Sequence, residues 1–433
     1  MKFLALLALV SAALATPALS LYDINAQEPL LGDVLPTSYP GFDLDLDAKR
    51  LVQLEGQEEP IVMTELEKIR AKAQGIRFFD VTDALDLGSR ARFRVATKPS
   101  YPTPNNTAIV RSVIDTLEVQ NLRDILDNLT SFRTRYYRSE TGKRSQQWLL
   151  NKITELTTAY APKFLQDSIS IEEFSHSWQQ SSIIVRIPGT STDDDGVVII
   201  GAHLDSTNNW PFLPAPGADD DGSGSTSILE AYRGLIAAGF QPERTVEFHW
   251  YSAEEGGLLG SQAVARSYES RNVNVVAMSQ YDMTAWVKRG TKEEVGIITD
   301  YTDSDLTTFN KNLVEQYLSI PWVETKCGYA CSDQYVLDDA AERPAVPPIP
   351  DIPSQSPSAS WRKAGYPSVF TIEATFENSN HGHIHTSDEY ANSDTLSHVK
   401  YDISDEFSFE HMLEFSKLAV GFAIELGGWK KSS

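Results

Sequence analysis

The sequence predicts an α/β fold with a mixed or mainly parallel central sheet and helices on both faces, and three observations carry that prediction. From Ser182 onward, short runs rich in Val, Ile and Phe alternate with stretches of helical apolar spacing. A composition of 41% hydrophobic and 22% charged residues over 433 residues supplies a large core at globular proportions. Finally, residues able to do chemistry recur just past the ends of the apolar runs, where open parallel sheets build their sites.

Taken in order, the chain opens with Met1-Lys2 and the apolar run Phe3 to Ala15, followed by small residues up to Ala18. This is the pattern of a secretory signal peptide over 1–18, and no later segment is long and apolar enough to span a bilayer. An exported, extracellular protein is therefore expected. Residues 19–95 are acidic and loop-like, with one helical stretch from Thr64 to Gln74 and no chemical motif; that placement suggests a propeptide that assists folding or blocks the site until removed. Its boundary is expected between Asp86 and Tyr101. From Asn106 to Tyr160 the apolar spacing is helical. Thereafter strands are predicted at Ser182 to Ile187, Val197 to Gly201, Thr245 to Tyr251, Val273 to Met278, Val295 to Ile298 and Ser368 to Glu373. Helices are predicted at Ser225 to Ala238, Gly260 to Glu269, Leu306 to Leu318 and Phe407 to Leu426.

A net charge of −23 argues against nucleic-acid or anionic-membrane partners and otherwise reads as solubility. Cys327 and Cys331 are the only cysteines, and in an oxidising compartment they could close a small disulfide ring. Asn105 and Asn128 head glycosylation sequons, meaningful in a eukaryotic source.

The chemistry lies at the strand ends. Val197 to Gly201 delivers His203 and Asp205; a Pro-rich loop then carries Asp219, Asp220 and Asp221 into a helix. The next strands end in Glu254-Glu255 and in Asp282, and His385 follows the last long strand. Two metals sharing one bridging carboxylate need about five protein ligands when a water position stays open, which matches this inventory. Of two adjacent carboxylates at a strand end, one can bind metal while its neighbour handles a proton.

Several segments together resemble the secreted dizinc leucine aminopeptidases of bacteria and fungi: Gly201-Ala-His-Leu-Asp-Ser-Thr, Ala215-Pro-Gly-Ala-Asp-Asp-Asp-Gly-Ser-Gly, Trp250-Tyr-Ser-Ala-Glu-Glu, Gln280-Tyr-Asp-Met-Thr, Cys327-Gly-Tyr-Ala-Cys-Ser-Asp, Ala364-Gly-Tyr-Pro-Ser and Ile384-His-Thr. Thr134-Arg-Tyr-Tyr-Arg-Ser-Glu-Thr-Gly is similar too, so the resemblance runs from about residue 105 to 427. It implies a three-layer α/β/α zinc exopeptidase fold over a catalytic domain at 96–433, acting on peptide N-termini, with two Zn2+ per chain; a monomer is expected. It further implies that His203 and Asp282 hold one zinc, Glu255 and His385 the other, and that Asp220 bridges them. Asp205 would orient His203, Glu254 would be the general base, and Tyr329 would help hold the oxyanion. Met283, Phe370, Ile372, Phe376 and Ile384 match or approach the family's apolar pocket, together with Tyr329, so a hydrophobic, leucine-type first residue is expected. The ligand types by themselves would also suit cobalt or manganese. The rival readings are a catalytically silent binding protein on this scaffold and a carboxypeptidase or single-zinc cyclase; only an aminopeptidase requires an unblocked N-terminus.

One stretch departs from the family pattern. After Cys331-Ser-Asp the family continues with His and an Ala-Ser-Trp-like segment, whereas this chain has Gln334, then a Pro- and Asp-rich insertion at 335–358 that reads as a disordered loop, then Ala359-Ser-Trp361. A retained intron would explain it. Gln-Tyr-Val can be encoded with the intron start GTATGT, Ser358 with the AG that ends introns, and excision restores a histidine codon in frame. The rival is a genuine surface insertion, which thermodynamics tolerates.

Overall fold

The computed structural model describes residues 39–55, 57, 59–94, 100–192, 196–328, 331–332, 360–387 and 406–429. The predicted signal peptide, Tyr329 and the insertion at 335–358 lie outside them.

The N-terminal residues form a small unit of their own: β1 (Lys49–Leu54), β2 (Ile61–Thr64), α1 (Glu65–Ala73) and β3 (Phe78–Asp80), with the strands in the antiparallel order β2-β1-β3. The helix is the one predicted, and Thr64 and Glu67 close its first turn as a capping box. The three strands were not predicted. Val52 and Phe79 are buried, but charged residues are buried beside them: Arg50 Nε meets Asp80 at 2.6 Å, and on α1 the buried Lys68 Nζ lies 3.0 Å from Asp80 and 2.9 Å from Glu65.

The remainder begins with three helices, α2 (Thr107–Ile114), α3 (Val119–Thr130) and α4 (Glu140–Tyr160). It continues through β4 (Ser170–Phe174), β5 (Ser182–Ile187), β6 (Val197–His203), α5 (Gly224–Ala237), β7 (Thr245–Tyr251), α6 (Leu259–Ser270), β8 (Val275–Tyr281), β9 (Val295–Ile298), α7 (Ser304–Tyr317), β10 (Trp322–Thr325), β11 (Ser368–Ile372) and α8 (Phe409–Gly427). The eight strands order as β10-β9-β11-β8-β6-β7-β5-β4. At the centre β11, β8, β6 and β7 are mutually parallel, while β5 and β4 add antiparallel at one edge and β11 meets β9 antiparallel near the other. The sheet is thus mixed with a parallel heart, in line with the predicted class. The short strands β4 and β10 escaped prediction, being half-exposed and carrying charges within their runs.

Side-chain alternation along β6 divides the core in two. Val198, Ile200 and Ala202 pack with Ile228 and Leu229 of α5 and Val420 and Ala423 of α8. Val197 and Ile199 face the other way, toward Val264, Ala265 and Tyr268 of α6 and toward Trp361. Each such buried aliphatic side chain contributes roughly 1.5–3 kcal/mol. Among the described residues no helix is long and apolar enough to cross a membrane.

Because β11, β8, β6 and β7 are adjacent and parallel, their carboxyl ends open on one rim. His203 closes β6, Glu254 and Glu255 follow β7, Asp282 follows β8, and His385 lies on the chain beyond β11. Topology alone brings these separated residues to one place.

Candidate metal centre

Asp220 sits between two imidazoles. Its Oδ1 is 3.0 Å from Nε2 of His203 and its Oδ2 is 3.1 Å from Nε2 of His385. On the first side Asp282 Oδ1 lies 3.6 Å from the same His203 nitrogen; on the second, Glu255 Oε2 lies 3.1 Å from the His385 nitrogen. Asp220 thus turns one oxygen toward each of two clusters of potential ligand atoms.

The triplet Asp219-Asp220-Asp221 is sorted by its hydrogen bonds. Asp219 accepts from Ala285 N–H at 3.2 Å and from the Asn380 amide at 3.0 Å. Asp221 accepts from the N–H groups of His203 (3.0 Å), Gly224 (2.8 Å) and Met283 (3.2 Å). Asp221 also comes within ligand range of His203 and Asp282, but three backbone donors already claim its oxygens, whereas those of Asp220 face the two histidines. Gly224 makes this packing possible, since a Cβ there would stand 2.3 Å from Asp221 Oδ1 and 2.5 Å from Tyr281 O.

Asp205, wholly buried, reaches both halves of the site. Its Oδ1 lies 3.5 Å from Nδ1 of His203, an ion-pair approach longer than a good hydrogen bond. The same carboxylate accepts from the N–H of Glu254 at 3.0 Å and of Glu255 at 3.3 Å. The sequence pointed to the imidazole contact; the hold on the Glu254-Glu255 backbone comes only with the fold. The approach of His385 is fixed from behind: Asn380 donates its N–H to Glu373 at 2.8 Å and its amide to Asp219, and His385 O accepts from Asn209 N–H at 3.0 Å. Ala253, Met283 and His385 have φ of 59°, 54° and 60°. Left-handed backbone at non-glycine residues costs on the order of 1–3 kcal/mol and clusters at functional sites.

The donor set fits a metal. Nε2 of His203, Oε1 of Glu255 and Oδ1 of Asp282 are buried and make no hydrogen bond of acceptable geometry, a state that is costly unless something else satisfies them. Imidazole nitrogens with carboxylate oxygens suit zinc. The electrostatics agree. Burial alone would lower the His203 pKa, but Asp282, Asp205 and Asp220 hold it well above its ordinary value. Burial pushes Asp282 up, while Asp220, although buried, is drawn well down by His203 and His385. His385, pulled down by burial but up by Glu255, is raised to about 9. Carboxylates crowded out of water take any positive charge within reach, and a divalent cation supplies more than a proton does.

Beside the two groups lies a cavity of about 270 Å³ lined by Met283, Phe370, Ile372, Phe376 and Ile384, the residues picked from sequence for the pocket. Ile298 and Cys327 pack into the same apolar cluster, and Cys331 and His381 reach the cavity wall; sequence reasoning did not place these four there. Cys327 and Cys331 are disulfide-bonded. Glu254, half-buried, faces the same cavity. So do Lys72, Ile76, Arg77 and Phe78 of the N-terminal unit. No sequence signal had singled out Lys72, one cation in a polar helix, yet its ammonium donates to the Glu255 carboxylate.

Comparison with known proteins gives a consistent result. The family model described as "Peptidase family M28" matches residues 182–408. The chain is 44% identical over 377 residues to Leucine aminopeptidase 1 of Colletotrichum graminicola, covering 84% of this chain and 82% of that protein. To Leucine aminopeptidase 1 of Emericella nidulans it is 42% identical over 431 residues, 97% of each. Among solved structures, the Legionella pneumophila LapA aminopeptidase superposes with a TM-score of 0.68 at 28% identity, covering 89% of this chain and 95% of that one.

Proposed function

The chain belongs to peptidase family M28 and is a zinc-dependent aminopeptidase acting on peptides, and from that premise we propose that it releases hydrophobic, leucine-type residues from peptide N-termini at a two-zinc centre. His203 and Asp282 would hold one zinc and Glu255 and His385 the other, with Asp220 between them. The observation that carries this reading is the division of Asp220's two oxygens between His203 and His385, at 3.0 and 3.1 Å. Zinc at these positions would supply an acidified water and a Lewis acid for the scissile carbonyl.

The chain's own residues do the rest. Glu254, held by Asp205 through its N–H, takes the proton of the attacking water and passes it to the departing amine. The cavity lined by Met283, Phe370, Ile372, Phe376 and Ile384 receives the first side chain and excludes water around it. Tyr329, outside the described residues, is assigned to the oxyanion.

The protein is read as secreted and monomeric, with 1–18 as signal peptide and glycans on Asn105 and Asn128, both of which are exposed. Residues 19–95 are read as a propeptide that covers the site, a reading supported by the position of Ile76, Arg77 and Phe78 on the cavity wall. Residues 335–358 are read as an addition that the catalytic fold does not need. On either side of them, Ser332 and Ser360 are fully buried, Ser332 Oγ accepting from Gln280 Nε2 at 3.1 Å and Ser360 Oγ lying 2.6 Å from Ser261 Oγ. A spliced message lacking these codons supports a retained intron; a secreted peptide spanning them refutes it.

The test of function compares a leucyl chromogenic amide with its N-acetylated twin after propeptide removal. Hydrolysis of the free-amine substrate alone, lost on chelation and restored by zinc, is expected. Equal cleavage of both would overturn the exopeptidase reading.

A further inference from the structure

The N-terminal unit does more than lie over the cavity. α1 ends beside the β7 rim, and from its last turn Lys72 donates to Oε2 of Glu255 and, at 3.1 Å, to the Glu255 carbonyl oxygen. Oε2 is the same oxygen that approaches His385 Nε2 at 3.1 Å. The ammonium thus holds the Glu255 oxygen that lies nearest His385, while Oε1 of the same carboxylate makes no hydrogen bond.

This contact is built rather than incidental. One turn earlier, Lys68 is locked between Glu65 and Asp80 and reaches the Gly256 carbonyl at 3.4 Å. Asp80 donates its N–H to Gly257 O at 3.2 Å, and Gln262 donates to Asp80 O at 3.1 Å. Residues 255–257 are therefore held to the N-terminal unit at consecutive positions, and Lys72 arrives on a helix that is already fixed. A long side chain so placed loses less entropy on bonding than a free surface lysine.

The two halves of the centre are not treated alike. Among the described residues no cation of the N-terminal unit makes an ion pair with His203 or Asp282, whereas Glu255, proposed as a ligand of the second zinc, is the lysine's partner. We propose that Lys72 competes with metal for Glu255, so that the intact chain binds zinc tightly at the His203–Asp282 position and weakly at the Glu255–His385 position until the N-terminal unit is removed. The segment is then a gate on metal loading as well as a cover. This rests on the two-zinc reading above. Zinc binding through Oε2 at the second position must displace a charge-assisted hydrogen bond and sit near an ammonium, and the loss of such a bond weakens its binding by about tenfold to a hundredfold.

The experiment uses the full precursor, wild type and Lys72→Met, with Lys72→Arg as a variant that keeps the cation. Zinc is titrated against a chelating dye of known affinity, and bound zinc is measured after dialysis. The wild type and Lys72→Arg are expected to hold one tight zinc and one at least tenfold weaker, and Lys72→Met two of similar affinity. Two equally tight zincs in wild type and Lys72→Met alike would overturn the competition while leaving the two-zinc centre standing. No zinc in any of the chains would overturn the centre itself, and the competition with it.

Discussion

Replacing Asp205 by alanine tests whether the two halves of the centre are tied together from behind. The carboxylate accepts two N–H bonds, 3.0 Å from Glu254 and 3.3 Å from Glu255, in a fully buried position. Hydrogen bonds to a charged group are worth about 1.5–3 kcal/mol each, so about 3–6 kcal/mol of local order is at stake, with the lower end expected where cavity water can replace the acceptor. The same substitution removes the anion 3.5 Å from His203 Nδ1, and losing such a ligand-orienting partner lowers metal affinity about 10–100-fold. Displacement of Glu254 by about 1 Å costs on the order of a hundredfold in turnover. The assay is kcat and KM on a leucyl anilide at saturating zinc with matured protein, beside a zinc titration. The expected outcome is a large fall in kcat that excess zinc does not restore, a modest change in KM and weakened zinc binding; Asp205→Asn, which keeps one acceptor oxygen, falls between. Wild-type kcat and zinc affinity in Asp205→Ala would refute the reasoning.

Three further outcomes follow from the geometry. Within the aspartate triplet, Asp220→Asn abolishes zinc binding and activity, whereas Asp221→Asn keeps zinc but loses about 2–4 kcal/mol of stability, because its carboxylate serves backbone donors; zinc content and thermal unfolding separate the two. His176, stacked on Trp178 at 4.3 Å and bonded to Ser182 Oγ at 2.7 Å, is held by burial at a pKa of about 4 against an ordinary 6.5. Between those pH values the unfolded chain takes a proton that the folded one refuses, so stability present at neutral pH falls by about 3 kcal/mol as pH drops from 6.5 to 4. Denaturant unfolding of His176→Phe should show a correspondingly flatter acid limb than wild type. At the pocket, Ile384→Ala lowers the preference for leucyl over alanyl substrates about tenfold in kcat/KM.

The proposed ligand set was legible because central strands announce themselves by apolar runs, and each relevant run stops at a residue with ligand chemistry. His203, Glu255 and Asp282 follow from that rule directly, and His385 from the strand before it. Spacing alone does not say which aspartate of the three would face a metal, because adjacent carboxylates in a loop carry no periodic signal; the resemblance pointed to Asp220, and the partners of Asp219 and Asp221, from Ala285, Asn380, His203 and Met283, support that choice. Asp205's grip on Glu254 and Glu255 joins residues about fifty positions apart and had no local trace. The N-terminal strands were missed because Arg50, Lys68 and Asp80 are buried as a charged group, which in a linear reading looks like surface. Lys72 was invisible for the same reason: its meaning depends wholly on what α1 is laid against.

The most direct test of the central claim is anomalous diffraction at the zinc edge from crystals of the matured protein grown with zinc. Two peaks are predicted, one among His203, Asp220 and Asp282 and one among Asp220, Glu255 and His385, with Asp220 touching both. A single peak, or two that do not share Asp220, would contradict the account.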